Sequence, residues 1–279
     1  MGGQKFAVLL CAEDSEYVRE IYGGYYGVFV RMLKEEGEEW DVFKVLKGEL
    51  PEDDVVGDYE GFVITGSCND AYGNEFWICR LLALVAKLDA MKKKVLGICF
   101  GHQILGRAVG GKIGRSNRGW DIGISKIELY PSNIFTSLKM PESLSIIECH
   151  RDEVRELPEK AEILGYSSKT GIEMFMYGDH LMGIQGHPEY DMDILLHLIQ
   201  RIFNLGLIQE SLAEDSRSKL ANGEVVEAAD IEAWKKLCTT FLKAAQRIRP
   251  NEYVCTHTKG CDAYQQTPCI RIYIRIQAN

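Results

Sequence analysis

Cys99 lies in the run Gly97-Ile98-Cys99-Phe100-Gly101-His102-Gln103, with a glycine two residues to each side and the apolar stretch Val95 to Cys99 leading into it. A cysteine so placed sits on a tight strand-to-helix bend, the elbow that holds a nucleophile clear of a sheet edge. Three consequences follow for its thiol. It projects where ligands bind in open α/β folds. The positive end of the following helix favours the thiolate. The N–H of Phe100 is placed to donate to an oxyanion. A free cysteine is more often a buried core residue, but the flanking glycines and the His102-Gln103 that follow weigh for the elbow.

A thiolate nucleophile needs a base that takes a proton and later delivers it to a leaving amine. Gly183-Ile184-Gln185-Gly186-His187-Pro188-Glu189-Tyr190 supplies the candidate, His187. In extended backbone, residues two apart point the same way, so Glu189 is placed to hold the imidazole's tautomer as the third member of a triad. His-Pro-Glu alone is a weak signal, and its pairing with the elbow makes it a strong one. Of the other histidines, His102 falls inside the helix after the elbow and reads as packed or capping. His150 ends a strand and could line a pocket. His180 and His197, with no obvious carboxylate orienter or glycine turn, read as structural.

The elements around these residues alternate. Phe6–Cys11, Trp40–Leu46, Gly61–Gly66 and Val95–Cys99 read as strands. Ser15 is a candidate N-cap for a helical segment interrupted at Gly23-Gly24 and resumed at Val28–Leu33. Phe76–Met91, ending in Lys92-Lys93-Lys94, and Gly101–Val109 read as helices. This order predicts a parallel sheet covered on both faces. The pattern then changes: Ile122–Tyr130, Leu144–Cys149, Glu162–Ser167 and Ile172–Gln185 read as strands with short connections, richer in antiparallel pairing. Ile194–Leu205, Glu210–Leu220 and Ile231–Ala245 return to helical periodicity.

With 279 residues, 46% hydrophobic and 26% charged, the chain has the composition of a globular protein able to bury a full core. Its net charge of −9 argues against a nucleic-acid binder, which needs a basic face. No window approaches a membrane span, and the N-terminal apolar run is too short for a signal segment. The nine cysteines are odd in number and the first six are scattered, which fits reduced thiols and a cytosolic location better than a disulfide framework. Residues 1–248 read as one catalytic domain, with a core at about 5–205 and C-terminal helices after it. Residues 249–279 form an atypical tail. Its Cys255, His257, Cys261 and Cys269 match none of the usual zinc-knuckle spacings, so it reads as a disordered or edge-strand segment.

At these residues the sequence resembles the class I, triad-type glutamine amidotransferase family. Thr65-Gly66-Ser67 falls at the family's oxyanion-strand turn, Gly97–Gln103 at its nucleophile elbow, His150-Arg151-Asp152 at its substrate-side loop and Gly186–Glu189 at its His-Pro-Glu end. The resemblance implies a flavodoxin-like, three-layer α/β sandwich with a mostly parallel central sheet. It also implies that Cys99, His187 and Glu189 are catalytic and that the Gly66 and Phe100 N–H groups form the oxyanion hole. Gln103, His150, Arg151 and Asp152 would contact the glutamyl group. Two departures stand out. Gly66 is followed by Ser67-Cys68-Asn69-Asp70, where the family has a second glycine and a proline. The segment after residue 205 is also too short for an ATP-dependent amidation domain.

The chain is more closely similar to the plant γ-glutamyl peptidases, on Tyr22-Gly23-Gly24-Tyr25, Met91–Ile104 and Cys149–Val154. That similarity implies cleavage of the γ-glutamyl bond of glutathione conjugates, in glucosinolate and related sulfur metabolism, through a γ-glutamyl thioester. The partner is then a small γ-glutamyl substrate, and neither metal nor organic cofactor is needed. The alternatives are a glutaminase subunit that supplies ammonia to a separate synthase, and an idle binding protein that keeps the fold, against which the intact triad speaks. Ser67–Gly73 and Arg115–Trp120 are candidate walls for the leaving group. No oligomeric state follows from the sequence.

Overall fold

In the computed structural model, residues 3–244 are described. The tail residues and their zinc-like cysteines lie outside that range. The elements in chain order are strand β1 (Lys5–Leu10), helices α1 (Glu16–Tyr22) and α2 (Gly24–Leu33), β2 (Glu39–Lys44), β3 (Gly61–Ile64), α3 (Phe76–Ala90), β4 (Lys94–Ile98) and α4 (Phe100–Ala108). After these come β5 (Lys112–Arg115), β6 (Asp121–Leu129), α5 (Asn133–Leu138), β7 (Ser143–His150), β8 (Asp152–Glu156), β9 (Ala161–Tyr166), β10 (Met174–Tyr177) and β11 (Leu181–Ile184). Helices α6 (Met192–Asn204), α7 (Glu210–Ala221) and α8 (Ala228–Lys243) close the order.

One nine-stranded sheet runs β2-β1-β3-β4-β11-β10-β9-β6-β7. Its first five strands are parallel, in the flavodoxin-like 2-1-3-4-5 order. The rest continue by antiparallel pairing, and only β10 and β6 run against the others. The buried strands β3 and β4 carry no exposed position, as a parallel sheet covered on both faces requires. Helices α2 and α8 cover one face through Phe29, Leu33, Trp234, Leu237 and Phe241. Helix α3 covers the other with Ile78, Leu81, Val85 and Leu88, one helical stripe, joined by Ile104 and Leu105 of α4. A third cluster seats α6 and α7 on the antiparallel wing. The three-layer sandwich anticipated above is the observed architecture.

Three details differ from the sequence reading. Ile172–Gln185 is an antiparallel hairpin, because the chain turns at Gly178-Asp179 and Gly178 takes a positive φ. Lys112–Arg115 and Asp152–Glu156 pair as a separate two-stranded sheet, and Asn133–Leu138 forms a short helix capped by Ser132. These segments are too short or too polar to show a period. Ser15 does cap α1, accepting from the Val18 N–H, and the break at Gly23-Gly24 ends one helix and starts the next.

Candidate active site

Strands β4 and β11 are parallel neighbours, with Ile98 opposite Ile184. The Cys99 N–H donates to the Ile184 carbonyl at 2.9 Å. The residues that follow the two strands therefore emerge side by side at the carboxyl edge of the sheet. Cys99 takes φ 53° and ψ −103°, a left-handed conformation that a residue other than glycine keeps only where its surroundings hold it. The elbow needs its glycines. A Cβ on Gly97 would sit 2.5 Å from the Gly101 carbonyl oxygen, and one on Gly101 would sit 2.3 Å from that of Ile64.

Beyond β11, the His187 N–H donates to the Ile147 carbonyl at 2.7 Å, which fixes the loop against β7. The His187 Nδ1 is 2.8 Å from Glu189 Oε1, both side chains being buried. The Cys99 side chain is the ring's second electrostatic neighbour. Burial opposes a charge on the ring, but the Glu189 carboxylate and the Cys99 sulfur outweigh it and raise the imidazole to about 10. Such a ring keeps a proton to deliver.

Gly66 follows β3 and closes the third side. A Cβ there would meet His187 Cε1 at 2.9 Å and Cys99 Cβ at 3.6 Å, so only a glycine backbone fits beside both groups. Phe100 begins α4 and buries its ring against Trp77, centroids 5.5 Å apart, so any part it takes in chemistry belongs to its backbone N–H.

The substrate-side loop is braced from beneath. Gln103 Nε2 donates to the Asp152 carbonyl at 2.9 Å and to Gln185 Oε1 at 3.1 Å. His150 Nδ1 lies 2.9 Å from the same Asp152 carbonyl. Arg115 Nε donates to Asp152 Oδ1 and one of its NH2 groups to Asp70 Oδ1, each at 3.1 Å. Burial raises the Asp152 carboxyl against the pull of Arg115. The Arg151 guanidinium lies over the Trp120 ring. Gln103, His150, Arg151 and Asp152 line one cavity of about 310 Å³ with Gly66, Cys99 and His187. Ser67 to Asp70, Arg115 and Trp120 line it too.

Several lining residues escaped the sequence reading. Tyr190 stacks flat on His187, centroids 4.1 Å apart and planes within 4°. Its place beside Glu189 was the one available signal. Tyr25, Leu198, Arg201, Ile202, Leu205 and Leu207 also line the cavity, brought there by tertiary packing. His180 needs correction: it has a carboxylate partner, Asp89 Oδ1 at 2.7 Å, contributed by α3. It precedes β11 and so sits at the opposite end of that strand from His187. His102 is buried against Phe175 and lowered to about 3 by burial, so it is neutral. Glu148, His150 and Glu173 bring ligand-type atoms within 4.8 Å of one another. Burial pushes both carboxyls well above the usual range.

A cysteine on a strained elbow, a carboxylate-oriented imidazole and a glycine turn meet at the carboxyl edge of a flavodoxin-like sheet. The profile described as Glutamine amidotransferase class-I matches residues 17–202. The chain belongs to this family. The chain is similar to Gamma-glutamyl peptidase 5 of Arabidopsis thaliana, 49% identical over 86% of this chain and 96% of that protein's length. Gamma-glutamyl peptidase 3 of the same plant is 46% identical over 86% of this chain and 97% of its own. Among solved structures, a glutamine amidotransferase from Thermotoga maritima aligns with a TM-score of 0.63 at 20% identity, over 88% of this chain and all of its own. That likeness concerns the fold.

Proposed function

We propose that this amidotransferase-family protein is a cysteine-dependent γ-glutamyl peptidase whose substrates are glutathione and its S-conjugates. The observation that carries the reading is the Cys99–His187–Glu189 constellation opening onto a cavity that Leu198, Ile202, Leu205 and Leu207 also line. Ammonia needs no such room, whereas a peptide amine with a thioether substituent does. The cavity volume lies at the lower end of small-molecule sites (~300–1,000 Å³). The near full-length similarity to proteins named γ-glutamyl peptidases supports the same choice.

The chemistry follows from the geometry. The Cys99 sulfur attacks the γ-carbonyl carbon, and the oxyanion that forms is met by the Gly66 and Phe100 N–H groups. The C–N bond breaks as His187 gives its proton to the departing amine, leaving a γ-glutamyl thioester on Cys99. A water molecule then attacks the thioester carbon and loses its proton to His187, and glutamate departs with the Cys99 sulfur restored. Glu189 holds the ring throughout. Asp152, held by Arg115, Gln103 and His150, faces the glutamyl half together with Arg151. The described cysteines are unpaired, which suits a reducing compartment such as the cytosol.

The test is time-resolved glutamate and ammonia release from glutathione, a glutathione S-conjugate and free glutamine, with Cys99→Ala as control. The reading expects glutamate without ammonia from the conjugate, abolished by the substitution. Ammonia from glutamine alone would overturn it in favour of a glutaminase subunit.

A further inference from the structure

Of the three arginines that line the cavity, only Arg115 pairs with a carboxylate among the described residues. Arg115 is bound to Asp152 and Asp70, and the Arg151 guanidinium is occupied by the Trp120 ring. Arg201, half-buried on α6, lines the same cavity and pairs with no carboxylate among the described residues. Its charge acts on the neighbouring Tyr25 hydroxyl, opposing the rise that burial imposes there. A guanidinium drawn out of water beside Leu198, Ile202 and Leu205 is costly to leave unpaired. Its planar fork is suited to a carboxylate.

Its position tells which carboxylate. Tyr190 stacks on His187, the group that protonates the leaving amine, and Tyr25 packs next to Tyr190 with centroids 6.2 Å apart. Two aromatic faces therefore lead from the scissile nitrogen to Arg201. An extended Cys-Gly leaving group spans about 7 Å from its amine to its terminal carboxylate, enough to cross one ring and reach the neighbourhood of the next. Its thioether branch would lie toward the leucines that line the cavity.

We propose that Arg201 receives the C-terminal carboxylate of the leaving peptide, so that the site selects γ-glutamyl peptides ending in a free acid. The inference rests on the peptidase reading above. It assigns discrimination against glutamine to a missing carboxylate contact as well as to size.

The experiment compares kcat/KM for a glutathione S-conjugate and for the same conjugate with its glycine carboxylate converted to the amide. The wild type is expected to prefer the acid by ~10- to 100-fold, the range of a charge-assisted contact. In Arg201→Gln the preference falls to near one, and Arg201→Lys retains part of it. General damage to the fold lowers both rates and leaves their ratio, so the ratio is the readout. Equal rates in the wild type, or a preference that survives in Arg201→Gln, would overturn the carboxylate site while leaving the peptidase intact. Hydrolysis of neither form would overturn the peptidase reading, and this inference with it.

Discussion

The charge on His187 is set by two neighbours, and that makes it testable. Glu189→Gln keeps an acceptor for Nδ1–H but removes the negative charge that holds the ring near 10. The alkaline limb of kcat/KM is expected near pH 10 in the wild type and at lower pH in the variant, with kcat down by ~10-fold or more. A pH–rate series on both proteins checks this. The same pair is linked to stability. Because the folded ring has a raised pKa, its contribution is fully present below its ordinary value of 6.5 and is lost as pH rises through about 10. Thermal melts from pH 6 to 10 should show a steeper alkaline decline in the wild type than in Glu189→Gln. Gly66 offers a steric test, since Gly66→Ala puts a methyl 2.9 Å from His187 Cε1. It should lower kcat by ~10-fold or more with a smaller change in KM, as expected when a reacting group is displaced. Steady-state kinetics will show the split. At this scale the site was largely legible, because Cys99, His187 and Glu189 announce themselves by glycine spacing within a few residues. Tyr25 and Arg201 did not, since they reach the cavity only when α2 and α6 dock.

The elements convert short sequence runs into a site. In-register pairing of β4 with β11 brings Cys99 beside the loop that carries His187, though 88 positions separate them in the chain. That arrangement depends on the backbone contact between the elbow and β3. Gly101→Ala would press a Cβ against the Ile64 carbonyl and is expected to cost ~1–3 kcal/mol, measured by urea unfolding, together with activity. The core strands could be read from their apolar runs, and α3 from its stripe. The β10–β11 hairpin was read as one continuous strand segment because both halves are apolar and the turn holds a single glycine. The β5–β8 pair was invisible because four or five mixed residues carry no period. His180 shows the same limit, for its partner Asp89 comes from another element.

For the whole molecule, α8, the last helix among the described residues, completes the third layer. Trp234 of α8 is buried, and its indole N–H donates to the Ser145 carbonyl at 2.8 Å, tying α8 to β7. Trp234→Ala should cost ~3–5 kcal/mol in urea unfolding. Kinetics of the fraction that stays folded should be near wild type, since the Trp234 side chain is not among the residues that line the cavity. A large loss of kcat at unchanged stability would contradict that division of labour.

The central claim is that one γ-glutamyl thioester on Cys99 forms whatever the leaving group. Partitioning by hydroxylamine tests it most directly. With glutathione, an S-conjugate and a γ-glutamyl anilide as substrates, a shared thioester gives the same ratio of γ-glutamyl hydroxamate to glutamate at a given hydroxylamine concentration. A ratio that changes with the leaving group, or hydroxamate still formed by Cys99→Ala, would contradict the account.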